Sequence, residues 1–395
     1  MVIFKQKTEK GVIRNMNKIV FFGLYNELNY GDPILAKCTE WLCLQNRNYS
    51  NVSRIAIDQL SYNFFEKNLV RVISRIPLKD IRNRVLLFLN YRNLKKVYQK
   101  ELRQASIAVV VGGGLIKFRN QFFGASLAAL LDVANDVDVP VVFNSVGVEG
   151  YDGSWQCQFL KKMLQKKSLK YISTRDDLPL LSEMYFNGCP QIPCKLTADS
   201  AVWASECYGV KKNENSSKIG IGVCRGKLFE DYGYPIGSDE LLTFYENLVI
   251  HLKNIYDVEI FTNGLPQDNV FALELKNKLE RLHLNVVIKF PKNPQDLVSI
   301  ISSYKAIAAA RLHACIVAYS LNIPAVGLVW NEKLRLWGKN IAAEDFFVSY
   351  DQIRVSYVVD KIFYSISKGY DLQRRISFRD TVRDSVNFYM NNFSI

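Results

Sequence analysis

Short apolar runs alternate along this chain with longer segments whose apolar residues recur at helical spacing. The runs are nearly continuous in apolar character, which is typical of strands buried on both faces of a parallel sheet. A regular alternation of such strands with helices predicts an α/β fold with crossover helices. The predicted strands lie at 18–23, 53–57, 107–111, 140–145 and 170–174 in the first half, and at 218–224, 257–262, 285–288, 306–310 and 325–329 in the second half.

A polar, turn-rich segment, KKNENSSK at 211–218, separates the two series of strands. The chain has 395 residues, whereas a single hydrophobic core stops growing near ~250–300 residues. We therefore predict two Rossmann-like, doubly wound domains, one at 17–210 and one at 218–370, which face each other across a cleft. The final stretch, 371–395, lacks proline and glycine and is a candidate helix that braces the first domain.

The chain carries an excess of positive charge, with a formal net charge of +13. Such an excess attracts nucleic acids, anionic membranes and phosphorylated substrates. The sequence has no zinc-finger spacing, no RNA-recognition signature and no basic region followed by leucine heptads. Because charge alone supports nucleic-acid binding, we predict that nucleic acid is not a partner.

The basic stretch at 67–103 concentrates this charge, with eleven basic residues against Asp80 and Glu101. Apolar residues at 85–89 stand between the charges. This composition is typical of an amphipathic helix that lies on an anionic membrane surface. It is also typical of a solvated helix that packs one face on its own domain, because lysine and arginine stems readily cover apolar surface. The sequence leaves both interpretations open.

Eight cysteines are scattered along the chain, and no histidine pair follows any of them at zinc-finger spacing. We therefore predict no metal, no cofactor, and reduced thiols that are mostly buried.

The N-terminal segment has no long apolar core. The longest apolar region, 306–330, is interrupted by Arg311, His313 and Pro324. We expect no membrane-spanning helix and a cytoplasmic protein.

The residues that follow each predicted strand are candidates for a ligand site, because ligands of open α/β sheets bind beyond the carboxyl ends of the strands. Asn26, Asn29, Gly31 and Asp32 follow the first strand. Asp32, with Pro33 behind it, is predicted to cap the next helix. Such a helix N-terminus can receive an anion or a sugar hydroxyl. Asn26 and Asn29 have no evident structural duty and are the better candidate ligands.

Three further turns in the first half could contact a ligand. Gly112, Gly113 and Gly114 end a valine-rich strand, where they permit close approach of a ligand and leave N–H groups for an anion. Arg175 follows the fifth strand and is either an anion ligand or a partner in an ion pair within its domain. Asp199 lies near the predicted domain boundary and hence near the predicted cleft.

The strongest local signal lies in the second half, where Arg311 and His313 follow a run of small apolar residues and Lys333 follows the next strand. Arginine offers a planar fork for a carboxylate or a phosphate. Histidine can move a proton near neutral pH. A lone histidine is more often structural, but an arginine two residues away in a strand-to-helix turn favours a functional role.

These motifs, in this order, resemble those of the polysaccharide pyruvyl transferase family. The resemblance covers residues 18–341, and its R-L-H block is the most specific part. A member of this family is expected to have the two-lobed GT-B architecture known from glycosyltransferases. The motifs are the N-x-G-D turn at 29–32, the glycine turn at 112–114, the T-R-D turn at 174–176, the Asp199 motif, R-L-H at 311–313, the I-P pair at 323–324 and Lys333.

The resemblance implies transfer of pyruvate from phosphoenolpyruvate to a sugar, as a cyclic ketal, in the synthesis of a capsule or exopolysaccharide. It implies that His313 transfers a proton. Arg311 would hold the carboxylate or the phosphate of the donor, with Lys333 and Arg175 neutralising the remaining charge. The expected acceptor ligands are Asn26, Asn29, Asp32, Gly113, Gly114 and Asp199. Whether Asp199 also acts as the base is open.

An acceptor sugar carried on a lipid diphosphate would account for the basic stretch at 67–103. The enzyme would then work in the cytoplasm, peripheral to the inner face of the membrane.

Two other functions are compatible with the same residues. A nucleotide-sugar-dependent glycosyltransferase shares the architecture, and Glu332 or Glu344 would then be its nucleotide-binding acid. A non-catalytic protein that binds membranes or polyanions would use the positive charge alone, but it leaves the glycine turn and the R-L-H block without a role.

Overall fold

The computed structural model describes residues 18–46, 49–57, 64–187 and 191–394. The chain divides into two compact units. The first unit consists of the described residues within Met1–Tyr25, Thr39–Ala198 and Thr381–Ile395, and the second consists of Asn26–Cys38 and Asp199–Asp380.

The first unit is built on a six-stranded sheet with crossover helices. Its last short strand is preceded by a π-helical turn at Leu180–Tyr185. The elements in chain order are β1 (Lys18–Gly23), α1 (Gly31–Asn46), β2 (Asn51–Ala56), α2 (Phe64–Ile73), α3 (Lys79–Leu102), β3 (Ile107–Val111), β4 (Ile116–Lys117), α4 (Gln121–Asp136), β5 (Val141–Val146), β6 (Val148–Glu149), α5 (Trp155–Leu164), β7 (Leu169–Thr174) and β8 (Cys194–Leu196).

The main sheet of this unit is parallel throughout, with strand order β2-β1-β3-β5-β7-β8. Its central strands are buried along their whole length, as their continuous apolar sequences predict. The strand order reverses between β1 and β3, which makes their carboxyl ends the switch point where ligands of such sheets bind. The short strands β4 and β6 form a separate parallel pair just beyond this edge.

The second unit is also a parallel sheet with crossover helices. The remaining elements in chain order, of which the last passes into the first unit at Thr381, are α6 (Ala204–Tyr208), β9 (Lys218–Gly222), α7 (Ser238–Lys253), β10 (Asp257–Phe261), α8 (Pro266–Arg281), β11 (Val287–Lys289), α9 (Pro294–Ser302), β12 (Ala306–Ala309), α10 (Leu312–Ser320), β13 (Ala325–Val329), α11 (Glu332–Asn340), β14 (Phe347–Ser349), α12 (Val355–Lys368) and α13 (Leu372–Phe393).

The strand order of this second sheet is β11-β10-β9-β12-β13-β14. Counted within the unit, the order is 3-2-1-4-5-6, which is the dinucleotide-binding order of the Rossmann fold. The predicted α/β class with two Rossmann-like units is therefore confirmed. All ten predicted strands are present within a few residues of their predicted bounds, and the short strands β4, β6, β8 and β14 were not predicted.

The division of the chain differs from the boundary that composition suggested. The change of unit falls at 198/199, ahead of the polar segment at 211–218. Residues 26–38 are grouped with the second unit although they follow β1. Polar composition marks a surface turn, whereas a compact unit is defined by packing that composition does not report. The predicted start at residue 17 lies outside the described residues.

The last helix, α13, ends within the first unit. Ser385 and Tyr389 are buried there. The Tyr171 hydroxyl lies 2.7 Å from Ser385 Oγ, and the Cys43 thiol lies 3.2 Å from the Tyr389 hydroxyl. Thr381 Oγ1 accepts a hydrogen bond from the backbone N–H of Ala198 at 2.8 Å.

The basic stretch forms helices α2 and α3. The α3 helix packs one face on α4, with Tyr91 donating to Asp132 at 2.9 Å and Lys95 3.0 Å from Asp136. One face of α3 therefore packs on helix α4 of its own unit, while the opposite face of α3 is exposed. Within the described ranges, no helix combines the length and the apolar character needed to cross a bilayer.

Two glycines in regular elements have opposite surroundings, and substitutions at them should have opposite effects on stability. A β-carbon at Gly220 in β9 would lie 2.4 Å from the ring of Tyr304. We expect Gly220→Ala to lower the free energy of unfolding by about 1–3 kcal/mol, because the buried ring has to move. Gly124 in α4 has no neighbour nearer than 3.9 Å, so Gly124→Ala should raise it by about 0.5–1 kcal/mol. Urea denaturation measures both, and an unchanged Gly220→Ala would contradict the packing described.

Candidate functional site

The carboxyl ends of β9 and β12 form the switch point of the second sheet. Arg225 follows β9, and Arg311 follows β12. Asn263 follows the neighbouring strand β10, and Lys333 follows β13 on the other side. Polar and cationic side chains are thus gathered at the edge where ligands of this fold bind.

His313 lies in the first turn of α10 and is buried, with 6% exposure. Its Nε2 atom is 3.7 Å from Oδ2 of Asp199. The other oxygen of Asp199 accepts a hydrogen bond from the backbone N–H of Ala201 at 2.8 Å, which holds the carboxylate in place. The imidazole and a fixed carboxylate thus lie close together in a buried place of the second unit.

Gly31, the first residue of α1, packs directly against the same imidazole. A β-carbon at Gly31 would lie 2.2 Å from Nδ1 and 2.4 Å from Cβ of His313. Only glycine permits this approach, which explains the glycine of the N-x-G-D turn. Because α1 begins at Gly31 and α10 begins at Leu312, two helix N-termini converge on His313. Their partial positive charges make this a favourable place for an anion.

Arg311 is held by Asp268, a residue of the first turn of α8 that is fully buried. The Arg311 guanidinium donates to both carboxylate oxygens, with Nε 2.9 Å from Oδ2. Asp268 also accepts from the backbone N–H of Arg225 at 2.9 Å. Burial acts to lower the pKa of Arg311, but the hydrogen bonds and charge of Asp268 outweigh it and raise the pKa. Asp268 thereby fixes residues from both strands of the switch point.

Lys333 lies half-buried in the first turn of α11, where the Asn331 side chain caps the helix by accepting from the Leu334 N–H at 3.0 Å. Glu332, the acid that a nucleotide-sugar enzyme would use, instead pairs with Arg335 at 2.7 Å. Hydrogen bonding to Arg335 lowers the pKa of Glu332. Glu344 is exposed at the start of a short 3₁₀ helix.

The loop that carries Asn29 packs on the turn after β10. The backbone N–H of Tyr30 donates to the Asn263 carbonyl at 3.0 Å. Among the described residues, neither Asn29 Oδ1 nor Asn263 Nδ2 has a hydrogen-bond partner, although both atoms are buried. Buried amides of this kind normally have partners, so both are candidates for ligand contacts. Asn26 is exposed in the same loop.

The structure corrects the predicted role of Asp32 as a helix cap. The α1 helix begins at Gly31, so Asp32 lies inside its first turn, half-buried. Its backbone N–H donates to the carbonyl of Asn29 at 3.3 Å. A carboxylate in the first turn is favoured by the helix dipole, and this explains the acid at this position without capping.

The glycine turn and the T-R-D turn meet at the carboxyl edge of the first sheet. Gly112 and Gly113 have positive φ angles of 28° and 80°. A β-carbon at Gly147 would lie 2.8 Å from Oδ2 of Asp176 and 3.2 Å from both the Gly113 carbonyl and Gly114 Cα. Arg175 Nε lies 3.6 Å from Asp176, so the ion pair within the domain that the sequence left open is present.

An open pocket of about 360 Å³ lies in the first unit beyond β4 and β6. Its wall includes the aromatic rings of Phe118 and Tyr151 and an ion pair in which Lys117 is 3.1 Å from Glu149. Aromatic faces beside charged groups can contact both the apolar and the hydroxyl-bearing faces of a sugar.

Three buried thiols are poor nucleophiles. Burial raises the pKa of Cys43, Cys224 and Cys315 to about 12, so these thiols are protonated at neutral pH. All cysteines of the described part of the chain are unbridged, and Cys189 lies outside it. No group of three or more His, Cys, Asp or Glu side chains in the described ranges is arranged to hold a metal ion.

Ten residues were predicted for the site. Gly113, Gly114 and Arg175 belong to the first unit, and the other seven belong to the second. Within the second unit, the structure brings together the R-L-H, Asp199 and N-x-G-D motifs at His313. Asn263 and Asp268 were missed. Both follow β10 before or within the first turn of α8, so the rule applied to the other strands would have found them.

A family model described as polysaccharide pyruvyl transferase matches residues 29–332 of the chain. A search of curated protein sequences found none that matches this chain.

Solved structures similar to this chain share its fold at low sequence identity. The UDP-GlcNAc 2-epimerase of Methanocaldococcus jannaschii aligns with a TM-score of 0.58 and 14% identity over 95% of this chain and 99% of that one. The UDP-GlcNAc 2-epimerase of Neisseria meningitidis, bound to UDP-GlcNAc, aligns with a TM-score of 0.56 and 11% identity over 95% and 98%. These likenesses establish the GT-B type of fold alone.

The pairing of Arg311 with Asp268 should contribute more to the free energy of unfolding than a surface ion pair does. We expect Asp268→Ala to lower the free energy of unfolding by about 3–5 kcal/mol, because it leaves a buried guanidinium without its partner. The double variant Arg311→Met/Asp268→Leu should recover most of this loss, since no charge is then buried. Urea denaturation of the set tests both expectations.

Glu280→Ala on the same helix is the matched control. Glu280 forms an exposed i,i+4 pair with Lys276 at 3.5 Å, so its removal should change the free energy of unfolding by less than about 0.5 kcal/mol. An Asp268→Ala variant that is as stable as Glu280→Ala would contradict the buried pairing.

Proposed function

Because the chain belongs to the polysaccharide pyruvyl transferase family, we propose that it transfers pyruvate from phosphoenolpyruvate to a sugar during assembly of a capsule or exopolysaccharide. The resemblance seen in the sequence is confirmed, and the chain is an enzyme of the transferase class. The observation that carries the proposed chemistry is the convergence of Asp199 and two helix N-termini on His313.

The proposed reaction joins one molecule of donor to two hydroxyls of one sugar. The methylene carbon of phosphoenolpyruvate gains a proton and becomes a methyl group, while a sugar hydroxyl adds to the neighbouring carbon. The bond between that carbon and the phosphate oxygen breaks, and the second hydroxyl adds in its place. The two hydroxyl protons end on the methyl group and on the released phosphate, so the ketal forms without oxidation or reduction.

His313 is the proposed proton-transfer group. Proton transfer to carbon is the step that most needs a positioned acid, and general acid–base catalysis is typically worth ~10²–10⁴ in rate. The Asp199 carboxylate, 3.7 Å from Nε2, would stabilise the imidazolium formed when His313 takes a proton from the sugar hydroxyl. The ring can then deliver that proton to the donor carbon.

The donor carries a carboxylate and a phosphate, and the second unit offers complementary groups. Arg311 is the N-cap residue of α10, and its side chain makes no capping hydrogen bond to the helix. Arg311 keeps a fixed orientation through Asp268, and Lys333 follows the adjacent strand. We propose that these groups hold the donor; Arg175, which the sequence also suggested as a donor ligand, remains a proposed anion ligand of the first unit.

We propose that the acceptor sugar is held by amide, carboxylate and backbone groups. Asn29 and Asn263 present buried amide atoms for which the described residues supply no partner. The pocket at Phe118 and Tyr151 supplies aromatic faces in the first unit. The acceptor ligands predicted from the sequence remain part of the proposal, namely Asn26, Asn29, Asp32, Gly113, Gly114 and Asp199.

The test of the proposed reaction is acceptor-dependent release of phosphate from phosphoenolpyruvate, with a panel of galactosides and aminosugars, free and lipid-linked. We expect His313→Ala to lower kcat by about 10²–10⁴-fold, since it removes the proton-transfer group. His251→Ala, at an exposed position in α7, is the matched control and should keep full activity.

A fully active and folded His313→Ala variant would exclude the proposed role of this residue. Thermal stabilisation by UDP, together with none by phosphoenolpyruvate, would instead support a nucleotide-sugar-dependent glycosyltransferase.

The pairing of Asp199 with His313 predicts non-additive effects on catalysis. We expect Asp199→Asn to lower kcat by about 10–10²-fold with a smaller change in KM, because the imidazolium loses its charged partner while the amide oxygen of asparagine can still accept a hydrogen bond from the sugar. In the His313→Ala background the same substitution should have almost no further effect on kcat. Steady-state kinetics of the two single variants and the double variant measure this, and additive losses would contradict a coupled pair.

A further inference from the structure

Helices α2 and α3 form a hairpin whose outer surface is both apolar and basic. The two helices are connected by residues 74–78. Val72, near the end of α2, and Leu78, at the end of the connection, are both exposed, each at 62%. Ile81 and Phe88 continue the surface along α3, with 49% and 60% exposure. We call these four apolar residues, together with Arg71, Arg75, Lys79 and Arg92 around them, the hairpin surface.

The two apolar residues of the hairpin surface that belong to α3 lie on the side of this helix that faces away from the unit. Ile81 and Phe88 are seven residues apart and so lie on one face of the helix. The buried face is formed by other positions, namely Asn83, Asn90, Leu94, Tyr98 and Leu102. The core of the unit is therefore complete without Ile81 and Phe88, and burial of these side chains needs a partner outside it.

Positive charge surrounds the apolar side chains. Arg71, Arg75, Lys79 and Arg92 are exposed, and no carboxylate among the described residues forms an ion pair with any of them. Glu101, one of two acidic residues in the stretch 67–103, is already paired with Lys18 at 2.9 Å. The surface thus carries a net positive charge that its own unit does not neutralise.

We infer that the hairpin surface binds an anionic lipid bilayer, with the apolar side chains entering the interface and the basic ones contacting lipid phosphates. Exposed aliphatic residues flanked by arginine and lysine match the boundary between headgroups and acyl chains. A nucleic acid would be contacted mainly by charge and by aromatic stacking, and it offers nothing to bury Val72, Leu78 and Ile81. The combination therefore favours lipid.

The hairpin is linked to the open pocket of the same unit. The Arg84 guanidinium lies 4.9 Å from the centre of the Trp155 ring. Trp155 begins α5 and follows the loop at 150–152 that lines the pocket. A bilayer bound at the hairpin would lie near this pocket, which is one of the proposed contacts of the acceptor sugar. This last step rests on the proposed function, whereas the binding of lipid does not.

The experiment uses the full chain without donor or acceptor and measures flotation with vesicles of phosphatidylcholine alone or mixed with phosphatidylglycerol. We expect at least tenfold stronger binding to the anionic vesicles, weakened by salt. Arg75→Gln/Lys79→Gln should weaken this binding by about 25-fold, at roughly fivefold for each basic residue near the surface. Leu78→Ser/Ile81→Ser should weaken it as well, at all salt concentrations.

The matched control is Val270→Ser/Leu273→Ser, at exposed apolar positions of α8 in the second unit, with 57% and 47% exposure. It should bind vesicles as the unaltered chain does, and thermal melts should show that all variants remain folded.

Absence of binding to anionic vesicles, or binding unchanged in both hairpin variants, would overturn the inference. Salt-sensitive binding to an RNA or DNA oligonucleotide without vesicle binding would also overturn it. A chain that binds vesicles but releases no phosphate would leave it intact while counting against the proposed reaction.

Discussion

The contact between Gly31 and His313 is the constraint on which the site of the second unit depends. The imidazole occupies the space where any larger residue at position 31 would place its β-carbon. This close approach brings the N-terminus of α1 to the N-terminus of α10, and the ring lies between them with Asp199 beside Nε2. The proposed proton-transfer group is thereby buried in a place that favours anions, which suits the anionic donor proposed for this chain.

A second constraint, the carboxylate of Asp268, orders the switch point of the second sheet. It holds the guanidinium of Arg311 and the backbone of Arg225, which follow neighbouring strands. A buried carboxylate with so many donors is costly to create and costly to disturb. Its benefit is that Arg311 reaches the site in one orientation, because its guanidinium has little freedom to reorganise when a ligand binds.

Much of the fold could be predicted from the chain because buried parallel strands have nearly continuous apolar sequences. Ten strands were found in this way. The two-residue strands β4 and β6 were missed because they are too short to show any periodicity, and β8 and β14, of three residues each, were missed as well. The motifs that carry His313, Arg311 and Asp199 were found as residues that follow strands or that match a family. Asn263 and Asp268 were missed, because an asparagine in a turn and an aspartate in the first turn of a helix look like ordinary turn and helix-start residues.

The sequence by itself determined the class of fold, the family and the chemical types at the site, since these depend on local pattern and on residue identity. Tertiary structure decided the order of the strands, the assignment of residues 26–38 to the second unit, the pairing of Arg311 with Asp268 and the meeting of three motifs at His313. All of these features depend on contacts between residues that are far apart in the chain, such as Gly31 and His313, which are 282 positions apart. No local pattern encodes which distant side chains share a space, because that depends on how the whole chain packs.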